Sequence, residues 1–189
     1  MIARASEAFA EAGYAGTSMS SVAGRIGMTK ASLFHHFATK EALYLEVLAG
    51  FLDSLSAIVA ETKLTEGSFP DRLDRLTTMV TDYLGSRPTA ARLLLRELVD
   101  VGPFLKGPGN AAVLATMQAV ASFLRAGMDA GDFREQDPEQ LALTITGLHL
   151  YYFASAPATR SFLGDVFADE LVDRRRAAAL QQVRALCLI

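Results

Sequence analysis

The chain is 189 residues long, 51% apolar and 21% charged, with a formal net charge of −3. That composition excludes a disordered chain, and the acidic balance excludes a protein that coats DNA with its whole surface, so any DNA contact must be local. The single cysteine, Cys187, excludes an intrachain disulfide and a cysteine metal cluster and fits a reducing cytosol.

The N-terminal segment MIARASEAFAEAG lacks the apolar core of a signal peptide. The most apolar stretch, Leu141 to Ala156, is shorter than a membrane span and carries His149, so a soluble, cytoplasmic protein is expected. Ile2, Ala5, Phe9 and Ala12 share one helical face, and Gly13 with Gly16 supplies a turn. Thr17 or Ser18 can cap a second helix that runs to Arg25. Gly27 allows a left-handed turn, and Thr29 caps a third helix that ends near His36. A long fourth helix starts at Thr39 or Lys40, with Ala42, Leu45, Leu48, Leu52, Leu55 and Val59 on its apolar face, and ends near Glu61. The polar segment KLTEGSFP then reads as a loop.

Pro70 opens a fifth helix, with Leu73, Leu76, Met79, Val80, Tyr83 and Leu84 apolar, closed by Gly85 and Ser86. Pro88 opens a sixth, to about Val101. Its Glu97 and Asp100, three residues apart without a partner base, read as a solvated face. Residues 102–109 read as a glycine- and proline-rich loop carrying Phe104 and Leu105. A seventh helix takes Asn110 to Ala130, and GDFREQDP makes the next turn. The eighth helix, Pro138 to Ser155, is apolar nearly all round and is closed by Ala156 and Pro157. A ninth takes Asp169 to Cys187, with Leu171, Ala178, Val183 and Leu186 apolar and Arg174 to Arg176 charged. No convincing strand pattern occurs, so the expected fold is all-α with about nine helices.

The short second and third helices around Gly27 have the layout of a helix-turn-helix reader, with Val22, Ala23, Ile26, Met28 and Leu33 as packing positions. Thr17, Ser18, Thr29, Lys30, Ser32, His35, His36 and Lys40 are polar or cationic and lie near helix starts, where free N–H groups attract phosphate. Each hydroxyl reads equally as a helix cap, and Lys40 also as a solvated charge. His35 and His36 point about 100° apart on a helix and lack a third ligand, so no metal site is read there.

The segment GYAGTSMSSVAGRIGMTKASLFHHFATKEALYLEVL, residues 13–48, resembles the DNA-binding region of the TetR family of bacterial transcriptional regulators. The resemblance is strong over about the first 50 residues and rests beyond them on helix number and length. It implies phosphate contacts from Thr17, Ser18, His35, His36 and Lys40, and base and phosphate contacts from Thr29, Lys30, Ala31 and Ser32. Phe34 stands where a tyrosine is common, so one phosphate hydroxyl is missing. The family's basic arm before the position of Ile2 is also missing, through a late start or a real lack of arm contacts. Over residues 1–44 four cations (Arg4, Arg25, Lys30, Lys40) face three carboxylates (Glu7, Glu11, Glu41), a weak positive balance for a DNA reader.

For the rest of the chain the resemblance implies a pocket among the fifth to seventh helices, closed by the eighth. Its expected lining is Met79, Tyr83, Leu94, Leu98, Phe104, Met117, Val120, Thr146 and Tyr152. The same residues read equally as plain core. His149, in the apolar eighth helix, reads as a satisfied interior or interface residue or as a polar anchor for a ligand. The last two helices are expected to pair with a second copy as a four-helix bundle. The expectation is therefore a reader over 1–47 and a ligand-binding and dimerisation domain over 48–189. The chain would be a regulator, most simply a repressor, that binds a palindromic operator as a homodimer and is released by a small apolar effector. No catalytic motif, cofactor motif or metal set is present in the sequence. The rival reading is a helical ligand-binding or scaffold protein of the same fold that has lost DNA binding.

Overall fold

A computed structural model describes residues 1–64 and 66–189. Among these residues eleven helices follow one another: α1 (Ile2–Gly16), α2 (Met19–Ile26), α3 (Lys30–His36), α4 (Lys40–Leu64), α5 (Phe69–Gly85), α6 (Ala90–Asp100), α7 (Pro103–Lys106), α8 (Gly109–Asp129), α9 (Pro138–Ala154), α10 (Ala156–Leu163) and α11 (Asp169–Cys187). Among the described residues the only β pairing is one antiparallel bridge, Phe133 with Leu188. The fold is all-α, with a helix-turn-helix at its N-terminus.

Local chemistry sets the breaks. Gly13 takes φ 74° inside α1 and kinks it, and Gly27 at φ 79° ends α2 in the left-handed region that a side chain would resist. Ser18, Thr29, Ser68 and Asp137 cap α2, α3, α5 and α9 by accepting backbone N–H bonds. Val101 ends α6 at φ 46°, a strained conformation for a β-branched residue.

Two additional helices escaped the sequence reading. The segment read as a glycine–proline loop contains the single turn α7, with Phe104 buried. Ala156 and Pro157, read as the close of a helix, instead open α10, where Pro157 fits because the first turn needs no N–H there. Of the loop read over 63–70, Thr65 lies outside the described residues, and α4 extends to Leu64. The apolar face at the start of α4 is also shifted by one position. Ala42 is exposed, and Leu43, Tyr44, Val47 and Leu48 are buried. Arg175, read as part of a charged face, is buried in α11, where its guanidinium donates to the Leu148 carbonyl at 2.7 Å and lies over the Tyr152 ring.

Two apolar cores result. The first runs without interruption from Ala5, Phe9, Val22 and Leu33 through Leu43 and Leu48 to Leu84, Leu93, Phe104 and Phe153. The second joins the end of α4 to α5, α8, α9 and α11 around Phe123, Phe133 and Leu141. There Phe69, Phe123 and Phe133 meet at 5.7–6.0 Å between ring centres. Buried Cys187 belongs to this core, and burial pushes its thiol up to about 11, which removes the thiolate that a redox sensor needs. Arg176 pairs with Asp82 at 2.7 Å and Arg184 with Asp74, tying α11 to α5. By length and composition alone, Lys40–Thr62 and Gly109–Asp129 are apolar enough to cross a membrane. Both are helices of the bundle and pack against each other.

Candidate nucleic-acid interface and body cavity

The reader is built from two short helices with reciprocal caps. The Ser18 hydroxyl accepts from the Ser21 N–H at 3.0 Å, and Ser21 Oγ accepts from the Ser18 N–H at 3.1 Å, closing a capping box at the start of α2. Thr29 Oγ1 accepts from the Ser32 N–H at 3.1 Å at the start of α3. Val22, Ala23 and Leu33 are buried in the same core as Phe9, Leu43 and Val47, which fixes the face that α3 turns outward. On that face Thr29, Lys30, Ala31, Phe34, His35 and His36 are exposed, and Ser32 is half-buried. The two histidine rings stand 5.8 Å apart, and Lys30 Nζ lies 5.7 Å from the Phe34 ring centre.

Thr17 corrects the sequence reading. It is 4% exposed, and its hydroxyl points to the carbonyls of Gly13 at 2.7 Å and Ala8 at 3.2 Å. Its one proton is used inside the protein, so it ties α1 to the start of α2 and cannot donate to a phosphate. Ser18, next to it, is exposed. Lys40 is anchored: Nζ donates to the Tyr14 carbonyl at 2.8 Å and sits 4.2 Å from the Tyr14 ring centre. An ammonium has three donors, so this anchor holds Lys40 in place and leaves protons for an anion. Arg25 is committed to Glu11 through paired hydrogen bonds and lies 3.8 Å from Glu7. The same bond holds the Glu11 carboxyl below its ordinary range.

The body holds a partly open cavity of about 110 Å³. Of the expected lining, Leu94, Leu98, Phe104, Met117, Val120, Thr146 and His149 are present. Three expected residues lie elsewhere. Tyr83 is buried but donates to the Phe51 carbonyl at 3.3 Å and carries Arg87 on its ring. Tyr152 packs edge-on against Phe153 and under Arg175. Met79 shares the α5 face of Asp82, whose carboxylate pairs with α11. The apolar pattern alone could not separate the cavity side of α5 from its α11 side. His149 is 4% exposed, with Nδ1 3.5 Å from the Thr81 hydroxyl. Burial, and then the charge of Arg175, lower its pKa to about 4, so the ring is neutral near pH 7.

The residue the sequence reading most misplaced is Glu97. It is 3% exposed and stands on the cavity wall. Its Oε2 accepts from the Tyr44 hydroxyl at 2.9 Å, and its Oε1 accepts from the Leu105 N–H at 2.9 Å. The signal lay in spacing: Ala90, Leu94 and Glu97 share one face of α6, so Glu97 sits on the apolar side. Gly102 leaves room for it: a Cβ there would stand 2.2 Å from Oε2, so the carboxylate would have to move.

Through Glu97 the cavity reaches the reader. Tyr44 packs against Phe9 and Tyr14, each at 4.9 Å between ring centres, and Tyr14 anchors Lys40. Burial, and then the bond to Glu97, push the Tyr44 hydroxyl well above the ordinary phenol range, so it remains a donor. Two further contacts join α6 to α1. Ser6 Oγ meets Thr89 Oγ1 at 2.9 Å, and the Arg96 guanidinium lies against the Gly13 kink.

A capped helix pair with an exposed second helix, fused through one core to a hollow helical body, defines the class of helix-turn-helix regulators with an attached ligand-binding domain. Comparison with known proteins agrees. Residues 1–47 match the family "Bacterial regulatory proteins, tetR family", and residues 70–183 match "Tetracyclin repressor-like, C-terminal domain". The chain is 24% identical over 186 residues to the HTH-type transcriptional regulator RutR of Escherichia coli K12, covering 97% of this chain and 86% of that protein. Its fold matches the TetR-family regulator PfmR of Thermus thermophilus with a TM-score of 0.77 at 23% identity, covering 97% and 96% of the two chains. It also matches AibR, solved with isovaleryl coenzyme A and operator DNA, with a TM-score of 0.73 at 19% identity, covering 96% and 95%. The chain belongs to the TetR family of bacterial transcriptional regulators.

Proposed function

We propose that this protein is a ligand-responsive regulator, most simply a repressor, acting in the cytoplasm. In this reading it binds a palindromic operator as a homodimer and is released when a small apolar molecule fills the body cavity. The observation that carries the reading is the outward face of α3, with Lys30, Ala31, His35 and His36 exposed beside two capped helix starts. Ser18, Thr29, His35, His36 and Lys40 would hold phosphates. Lys30, Ala31 and Ser32 would face base edges, Lys30 also reaching an adjoining phosphate, with Phe34 as apolar contact surface. Residues 1–47 form the reader and 48–189 the ligand-binding and dimerisation part, with the boundary inside the continuous helix α4.

Dimerisation is assigned to α9 and α11. Leu143 and Tyr151 are 62% and 66% exposed, and they flank Gly147 at intervals of four residues on one face of α9. A Cβ at Gly147 would meet nothing within 4 Å, so a second helix can approach there. Two copies would present two α3 helices to successive major-groove faces. Filling the cavity would displace α6, whose ties at Ser6, Gly13 and Tyr44 carry the movement to the reader. The effector shifts the equilibrium only by its difference in affinity for the two forms.

One observation favours the rival reading of a scaffold without DNA binding. Arg25 is neutralised by Glu11, which leaves the reader few cations. Retardation of the DNA upstream of its own gene, against an unrelated fragment at low salt, separates the two. A regulator shifts the upstream fragment selectively. Equal or absent retardation of both fragments contradicts the proposal.

A further inference from the structure

We infer that the cavity takes a one-ring-sized apolar molecule carrying a hydrogen-bond donor, best an ammonium, which docks on Glu97, and that it rejects anions. This rests on the reading of the cavity as the effector site. The first ground is Glu97 itself. A carboxylate offers about four lone-pair sites, and two are taken, one by Tyr44 and one by the Leu105 N–H. Among the described residues no cation lies within 4.0 Å of it, although it is 3% exposed. A buried carboxylate without a counter-charge is costly, and a cationic occupant supplies that charge where the protein does not.

The rest of the wall narrows the ligand further. Among the described residues it contains neither lysine nor arginine. Thr116 is hydrogen-bonded to Ser56 at 2.7 Å and to the Ala112 carbonyl at 2.9 Å, and Thr146 is turned to the Met117 sulfur at 3.7 Å. Glu97 is the one carboxylate among the described residues of the wall, and an anionic head would meet it without a lysine or arginine to compensate. His149 adds no positive charge, because burial keeps it neutral. A volume of about 110 Å³ is on the scale of cavities that admit benzene. A donor seated on a free lone pair of Glu97 shares its carboxylate with the Tyr44 hydroxyl, and so acts on the bond that joins the cavity to the reader.

The test uses the full-length protein and four matched probes: benzene, benzyl alcohol, benzylamine and benzoate, with binding measured by calorimetry and saturation-transfer NMR. Benzene tests the cavity alone. The inference expects benzene to bind, benzylamine to bind about tenfold more tightly than benzyl alcohol, and benzoate not to compete. Glu97→Gln should bring benzylamine level with benzyl alcohol and leave benzene unchanged, with thermal unfolding confirming the fold. If that variant fails to fold, the ranking of benzylamine against benzoate on the wild type still decides. Benzoate binding as tightly as benzylamine, or an amine preference that survives Glu97→Gln, overturns the inference and leaves the cavity reading standing. Failure of all four probes, benzene included, overturns both.

Discussion

At the scale of single residues, partners decide function more than residue type does. Thr17 and Ser18 are adjacent and chemically alike, but Thr17 uses its proton on backbone carbonyls whereas Ser18 is exposed at a helix start. Lys30 is exposed and Lys40 is anchored, while Arg25 is neutralised by Glu11. Lys30→Ala should therefore weaken operator binding roughly tenfold and lower the slope of log affinity against log salt by about 1, whereas Arg25→Ala should not change that slope. Anisotropy titrations at several salt concentrations would show both. His149 gives a second expectation. Its folded pKa of about 4 lies below the ordinary value of 6.5, so only the unfolded chain gains a proton between those limits. Stability is unaffected above about pH 6.5 and falls as pH drops, by about 2 kcal/mol at pH 5. Urea unfolding at pH 7 and pH 5 should show this loss in the wild type and not in His149→Gln.

At the scale of elements, caps and periodicity were legible and lateral packing was not. Asp169 and Cys187 bound the last helix as the sequence indicates, and Ser18, Gly27 and Thr29 mark the reader's turns because caps act locally. The single turn α7 was hidden because four residues cannot display a helical period. Met79 and Val80 are neighbours on an apolar helix covered on two sides, and pattern alone could not say which of them meets the cavity. Gly127 shows how packing reverses propensity. Glycine inside a helix is disfavoured against alanine by about 1 kcal/mol, yet a Cβ at Gly127 would stand 2.2 Å from the Phe133 ring. Gly127→Ala should destabilise the protein by about 1–3 kcal/mol in urea unfolding, where propensity alone expects stabilisation.

At the scale of the whole molecule, reader and body are joined by a continuous core and by the α6 contacts at Thr89, Arg96 and Glu97. The family and its layout were legible because the reader is dense in local signals. The Tyr44–Glu97 bond was not, because it spans 53 residues and depends on how α4 and α6 cross. Tyr44→Phe leaves one Glu97 oxygen without its partner. It should lower unfolding stability by about 1–3 kcal/mol and weaken the response of DNA binding to a cavity ligand more than DNA binding itself. Urea unfolding and paired titrations with and without ligand would check the two effects.

If the cavity and the reader work as one switch, filling the first must change what the second binds. The full-length protein is titrated onto the DNA upstream of its own gene, with and without a ligand that calorimetry shows to fill the cavity. The switch predicts selective, salt-sensitive binding that weakens at least several-fold when the cavity is filled. Selective binding that is unchanged by a saturating cavity ligand would contradict it.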